Sequence, residues 1–391
     1  MDCNKLNNSC SDNNKLQPQL NSFKPTKDNV KILGRTLYQN GSLWVSHTDS
    51  SIEFKFTGKI CIIVISTDSI YGSLSEENPA HIFVYGDDKQ YIDVITTKSI
   101  MELKIEFDEI AEHVIRLMKV SECHKGSIYI NEIKTDSDSI RPTAAKNKKI
   151  EFIGDSITCA FGALDTEGEF TTRTEDGTKS YAYKVAQKFD VDYSIFGFSG
   201  YGIYSGFSFN GIRNPDFLVP PHYDKLGELK WNEEHPEATN IVMANIKWDA
   251  SEFIPDLIVI NLGTNDDLYV RYINDEKTKE IEKINFSNEY KKFIKHVRSI
   301  HPNSEILCTI GVMGQDFFPL IENVVSTYCK ETNDNKINVF KFNIQNIEKN
   351  GIGIMDHPNA LSQVDAAIEL IEEIEKRYGW KSNPNIDITE K

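Results

Sequence analysis

Near residue 148 the hydrophobic pattern changes period, and that break divides the chain into two folding problems. Before it, apolar residues recur every second position. Ile52, Phe54 and Phe56 alternate with Glu53 and Lys55, and Thr57-Gly58 reads as a turn. Lys59 to Ser66 is an almost continuous β-branched run, the pattern of a strand covered on both faces. Further strands are predicted at His81–Tyr85, Tyr91–Thr96, Met101–Phe107, Val114–Val120 and Ser127–Ile133. Gly86-Asp87-Asp88 and His124-Lys125-Gly126 supply turns. Many short strands without a long helical period predict an all-β sandwich, jelly-roll-like, over residues 29–140. Residues 1–28 are polar and aperiodic and read as a tail, and the polar stretch Thr135–Lys149, with Pro142, reads as a linker.

Over residues 148–380 strands alternate with helices. Strands are predicted at Ile150–Gly154, Asp192–Phe198, Asp256–Leu262, Glu305–Gly311 and Lys336–Phe342. Helices are predicted at Ser180–Phe189, Ser287–Ile300 and Phe317–Lys330, with a last helix carrying Leu361, Val364, Ala367, Ile368, Ile371 and Ile374. This rhythm predicts an α/β/α domain around a mainly parallel sheet. Residues 203–250 interrupt it with Pro215, Pro220, Pro221 and Pro236, as a functional loop does. The last ten residues read as frayed.

In such a sheet reacting groups gather at the carboxyl ends of the strands. Four motifs fall there or just before the last helix: Gly154-Asp155-Ser156, Phe198-Ser199-Gly200-Tyr201-Gly202, Gly263-Thr264-Asn265-Asp266 and His357-Pro358-Asn359. A serine hydroxyl becomes a useful nucleophile only when a base takes its proton, and a histidine has the intrinsic pKa for that task, in the region of ~6–7. Ester attack creates an oxyanion. The N–H groups of Ser156 and Gly200 and the side-chain amide of Asn265 are donors that add no charge. Each motif alone also serves as a cap or tight turn; their co-occurrence in this order points to catalysis.

The balance of 43 Lys+Arg against 59 Asp+Glu gives a net charge of −16, which opposes binding to nucleic acid or an anionic membrane surface and suits a neutral partner such as a glycan. No run approaches a membrane span, and the first thirty residues lack an apolar signal core. The expected location is therefore the cytoplasm, or outside the cell if a leader is missing from this sequence. Of seven cysteines, five lie in or beside apolar runs as buried free thiols, Cys159 among them; Cys3 and Cys10 fall in the polar tail. No spacing suggests a metal site, and no cofactor is expected.

The four motifs resemble those of the SGNH (GDSL-type) serine hydrolases. The resemblance extends to the two-domain family 2 carbohydrate esterases, through Leu33-Gly34-Arg35, the run Ser51 to Gly58, Trp248-Asp249 and the run Pro255 to Asp266. It covers roughly residues 30–378. It implies a β-sandwich joined to an SGNH domain and removal of acetyl groups from plant-type polysaccharides such as xylan or glucomannan. It implies Ser156 as nucleophile, His357 as base, and Gly200 and Asn265 as oxyanion donors with the Ser156 amide. General members place an aspartate three residues before the histidine, where this chain has Ile354. Asp356 is then the candidate third member. It is expected to point away from His357, because neighbours in an extended segment face opposite ways, leaving a serine–histidine dyad oriented by a main-chain carbonyl. Tyr201, Tyr204, Trp231, Trp248 and Tyr269 are candidates for stacking on sugar rings, Trp248 equally for the core, and the pairs Asp266-Asp267 and Glu233-Glu234 read as solvated surface. Two other readings stay open: a lipid or thioester hydrolase on the same scaffold, and a glycan-binding protein with a degenerate esterase domain.

Overall fold

A computed structural model describes residues 19–68, 78–228 and 241–390. Its first sheet is antiparallel and contains β1 (Asn21–Phe23), β2 (Lys31–Leu33), β3 (Thr36–Gln39), β4 (Ser42–Val45), β5 (Ser50–Thr67), β6 (His81–Gly86), β7 (Lys89–Ile95), β8 (Ile100–Lys119), β9 (Ile128–Thr135) and β10 (Ile140–Pro142). The strand order is β3-β4-β9-β5-β8-β6-β7, with β1 on β9 and both β2 and β10 on β5. The Thr57-Gly58 turn is not a turn. The chain runs straight through it within β5, and the two strands expected at Met101–Phe107 and Val114–Val120 are likewise one, β8.

The turn signal at Thr57-Gly58 marks a bulge instead. The pairing of β5 with β8 shifts register between Gly58 and Ile60, where Asp136 accepts the Lys59 N–H at 2.9 Å and the Ile60 N–H at 3.1 Å. The shift reverses the side-chain parity. Ile52, Phe54 and Phe56 before it and Cys61, Ile63 and Ile65 after it therefore all enter one buried core. A Cβ on Gly58 would approach an Asp136 oxygen to 2.1 Å, so the glycine makes room for this carboxylate.

The second sheet is parallel, in the order β12-β11-β13-β14-β15. Its strands are β11 (Lys149–Gly154), β12 (Asp192–Gly197), β13 (Leu257–Asn261), β14 (Glu305–Ile310) and β15 (Ile337–Lys341). β11, β12 and β13 are almost wholly buried, and Glu151 of β11 and Asp192 and Ser194 of β12 are buried along with the apolar residues. Helices Tyr181–Phe189, Glu276–Ile300, Phe318–Thr332 and Ala360–Tyr378 accompany the sheet. The second begins eleven residues before the expected Ser287. Its first turns have little apolar period and rest on the Asp275 cap, which accepts the Thr278 N–H at 2.8 Å, and on charge pairs such as Glu276–Lys279 and Glu280–Lys283. In the last helix Leu361 and Ile368 are exposed, and the buried stripe is Val364, Ala366, Ala367, Leu370, Ile371 and Ile374.

Four other expectations change. Asn21–Phe23, placed in the polar tail, pair with β9, while residues 1–18 lie outside the described residues. Ile140–Pro142, placed in the linker, pair with β5. The final segment is not frayed: Ile388 is buried, Lys184 donates to its carbonyl at 3.1 Å, and the Glu390 carboxylate binds Lys179 and Lys184. The irregular stretch after residue 203 is partly core, because Val219, Tyr223, Leu226, Ile241 and Met243 are buried. Arg35 of the antiparallel domain holds it by donating to the Tyr223 and Lys225 carbonyls at 2.7 and 2.6 Å. The apolar core crosses between the domains: Trp44 and Cys123 join one cluster with Phe196 and Tyr223, and Leu33, Met118 and Val120 join another with Tyr181 and Val185.

Candidate active site

β11 lies between β12 and β13, and the register pairs Gly154 with Gly197 on one side and Asn261 on the other. The segments carrying Ser156, Gly200 and Asn265 thus leave the same edge of the sheet. At Gly154 the chain turns so tightly that a Cβ would stand 2.0 Å from the Thr158 hydroxyl. One helical turn, Ser156–Cys159, follows, capped by Asp155, whose carboxylate accepts the Ile157 N–H at 3.0 Å. Burial, with Asp266 nearby, pushes the Asp155 carboxyl up to about 7.

The Ser156 hydroxyl lies 2.8 Å from His357 Nε2. On the far side of the ring, Nδ1 is 3.0 Å from both the Ile354 and Met355 carbonyls. Carbonyls only accept, so Nδ1 carries the proton and Nε2 faces the serine as an acceptor. Two consecutive left-handed residues, Met355 at φ 52° and Asp356 at φ 63°, turn the chain so that both carbonyls face the ring. The segment is pinned to the residues after the serine: Ile354 N–H donates to the Gly162 carbonyl at 3.2 Å, and a Cβ on Gly353 would meet that carbonyl at 2.3 Å. Phe161 stands edge-on to the imidazole at 4.7 Å. Desolvation lowers the His357 pKa from its ordinary 6.5, partly offset by the two carbonyls, Asp356 and Glu122. Asp356 is exposed, and its backbone carbonyl accepts from Gln345 at 2.7 Å. The ring proton thus faces the carbonyls of Ile354 and Met355, and the carboxylate of Asp356 makes no bond to it.

Gly200 has φ 83°, and a Cβ there would come 2.7 Å from the Phe207 ring. Among the described residues the N–H groups of Ser156 and Gly200 reach no hydrogen-bond acceptor. Asn265 is buried, in the first turn of the helix Thr264–Arg271, and one of its amide hydrogens goes to the Tyr201 carbonyl at 2.8 Å. The other is left to give. The Asp266-Asp267 pair is not solvated surface. Asp266 accepts three N–H groups, from Ile203 at 3.0 Å, Tyr204 at 2.7 Å and Ser205 at 2.8 Å, and so holds the turn after Gly200. Asp267 is buried against Arg271.

A model for the GDSL-like lipase/acylhydrolases matches residues 150–368, more than half of the chain. The chain belongs to this family. Ahead of the GDSL domain, a model described as carbohydrate esterase 2 N-terminal matches residues 32–143. Among relatives of this GDSL protein, the cellulase/esterase CelE of Acetivibrio thermocellus is 28% identical over 372 residues, which are 92% of this chain and 41% of that protein. The chain thus spans less than half of CelE. An acetylxylan esterase/glucomannan deacetylase of Cellvibrio japonicus is 20% identical, covering 95% of both chains. In structure the chain is similar to an acetyl xylan esterase from Butyrivibrio proteoclasticus, with a TM-score of 0.80 at 22% identity over 93% of this chain and 99% of that one. It is also similar to a family two carbohydrate esterase from Clostridium thermocellum in complex with cellohexaose, with a TM-score of 0.73 at 24% identity over 90% and 100%. At these identities the structural likeness is one of fold, and the fold is the two-domain arrangement expected from the sequence.

The proposed sugar-stacking residues fare differently. Tyr201 is fully buried, and Tyr269 is buried with its hydroxyl 3.1 Å from Glu282. Trp248 lies at the opposite end of the parallel sheet, in a cavity shared with Arg35, Ala250 and His301. Tyr204 is half-buried under the Arg213 guanidinium at 4.2 Å, and Trp231 and Glu233-Glu234 lie outside the described residues. The open aromatic surface next to Gly200 is a different one. Phe207 and Phe209 are 42% and 62% exposed, with ring centroids 6.1 Å apart, and Tyr272 stands 5.8 Å from Phe209. Its sequence signal was the alternation Phe207-Ser208-Phe209 inside a Gly-rich stretch.

Proposed function

We propose that this protein is a serine esterase that removes O-acetyl groups from a carbohydrate, such as acetylated xylan or glucomannan. The observation that carries the reading is the 2.8 Å contact between Ser156 Oγ and His357 Nε2, with Nδ1 held by two carbonyls. His357 takes the hydroxyl proton as Ser156 attacks the acetyl carbonyl carbon. The Ser156 and Gly200 N–H groups and the Asn265 amide receive the negative oxygen. The intermediate collapses, and His357 protonates the departing sugar oxygen. Water, activated by the same histidine, then releases acetate from the acetyl-serine.

The names of the relatives support the substrate class, as does the aromatic rim of Phe207, Phe209 and Tyr272, since flat apolar rings suit the faces of pyranose sugars. Acetate release from acetylated xylan and glucomannan, compared between the wild type and Ser156→Ala, tests the reading. Exposed Ile212 beside the same rim favours a second one, hydrolysis of an apolar acyl ester. Rates rising steadily from acetate to octanoate esters would transfer the assignment to it.

A further inference from the structure

The Gly200 turn is held from the other domain. Glu122 belongs to the segment between β8 and β9, is fully buried, and its Oε2 accepts the Ser199 N–H at 2.9 Å. We propose that Glu122 is a positioning residue for the oxyanion turn: by anchoring the Ser199 N–H it sets the direction of the Gly200 N–H one peptide further on. The inference rests on the serine esterase reading above.

Three observations support it. First, the carboxylate is delivered from a fixed backbone. The Glu122 carbonyl accepts from Lys119 Nζ at 2.8 Å and from the Lys125 N–H at 2.9 Å, and the Glu122 N–H donates to the Glu175 carboxyl. Second, neither nearby lysine spends its ammonium on the Glu122 carboxylate. Lys119 Nζ donates to backbone and hydroxyl oxygens of residues 121 and 122, while Lys125 Nζ bonds Asn78 at 3.0 Å and lies over the Phe170 ring. Both lysines feel the Glu122 charge without pairing with it directly, and the carboxylate's protein hydrogen bond goes to the turn. Third, Gly200 adopts φ 83° with its own N–H given to no described acceptor, so the direction of that N–H depends on the peptides flanking it. Burial, with Glu122 beside it, pushes the Glu175 carboxyl well above the usual carboxylate range.

The test uses the full chain with Glu122→Gln, Glu122→Asp and Glu122→Ala. Glutamine keeps an oxygen at the same reach and loses the charge; aspartate keeps the charge and withdraws the oxygen by one methylene. Positioning predicts that Gln retains most of the wild-type kcat on p-nitrophenyl acetate. It predicts that Asp and Ala lose about tenfold to a hundredfold in kcat, within the range of a weakened oxyanion donor, with KM nearly unchanged. A mere charge-balancing role predicts the reverse order of Asp and Gln, and that order overturns the proposal, as does an Ala variant with wild-type kcat. If Ala does not fold, the Asp–Gln comparison still decides. A second arm does not depend on turnover: amide exchange of the peptides covering 198–201 should quicken about tenfold in Asp and stay unchanged in Gln, and equal exchange in all proteins overturns the proposal. A wild type no faster than Ser156→Ala would instead sink the esterase reading, leaving the exchange arm to judge Glu122.

Discussion

Ser156 and His357 meet at 2.8 Å from supports of opposite kind. The serine rides on the end of a buried interior strand, in a turn that close packing at Gly154 and the Asp155 cap define residue by residue. The histidine hangs from an irregular segment with two left-handed residues, and Met355 and Asp356 beside it are exposed. One partner is placed by packing, the other by backbone hydrogen bonds. The ring is oriented by carbonyls, whose position depends on the path of the chain rather than on any one side chain. The serine side should therefore be intolerant of substitution and the segment before the histidine tolerant, provided the chain path survives.

The largest effect should come from the serine side. Ser156→Ala should abolish acetyl-ester hydrolysis while circular dichroism and melting stay those of the wild type. Residual turnover above background would remove the serine from the mechanism. Next, Asn265→Ala should lower kcat by roughly 10²–10³ with little change in KM, because the donor serves the oxyanion more than the bound ester. A change confined to KM would make Asn265 a residue that places substrate.

On the histidine side, the pH profile sharpens the contrast. Desolvation disfavours the imidazolium, so His357 stays neutral, and hence a base, to lower pH than an exposed histidine. The acid limb of kcat/KM should have its midpoint below 6.5, the ordinary value, and a midpoint above it would show that burial does not govern this ring. The smallest effect is expected at Asp356→Asn. A triad aspartate replaced by asparagine costs about 10⁴ in kcat in serine proteases. Here the Nδ1 proton goes to the Ile354 and Met355 carbonyls, so the loss should be at most on the order of tenfold. A loss near the protease value in a folded variant would erase the difference between the two supports.

What was legible in the sequence follows the same division. Gly154-Asp155-Ser156 at a strand end and His357 before a helix announce themselves because side-chain type and period carry the signal. The missing carboxylate at Ile354 was legible too, and with it the expectation of a carbonyl partner, although not which carbonyls. Thr57-Gly58 misled because a glycine that permits a turn also permits a bulge; only the position of Asp136 in space tells them apart. The buried roles of Asp266 and Glu122 were hidden for a related reason. Acidic residues are usually solvated, and these two are committed to N–H groups 61 or more residues away in sequence. Tyr201 and Trp248 are aromatic and near a motif in sequence, and neither property reports that Tyr201 is buried or that Trp248 lies at the far end of the sheet.

The shared apolar clusters carry a last consequence. Trp44, Met118 and Val120 are buried in the same clusters as residues of the parallel-sheet domain, so cutting the chain near residue 145 would expose an oily seam on both halves. Heating should accordingly give one calorimetric transition whose van't Hoff and measured enthalpies agree, although the sequence divides so cleanly in two. The halves are legible as modules, yet the shared seam should make them melt as one body, so that neither could be lifted out and fused elsewhere unchanged.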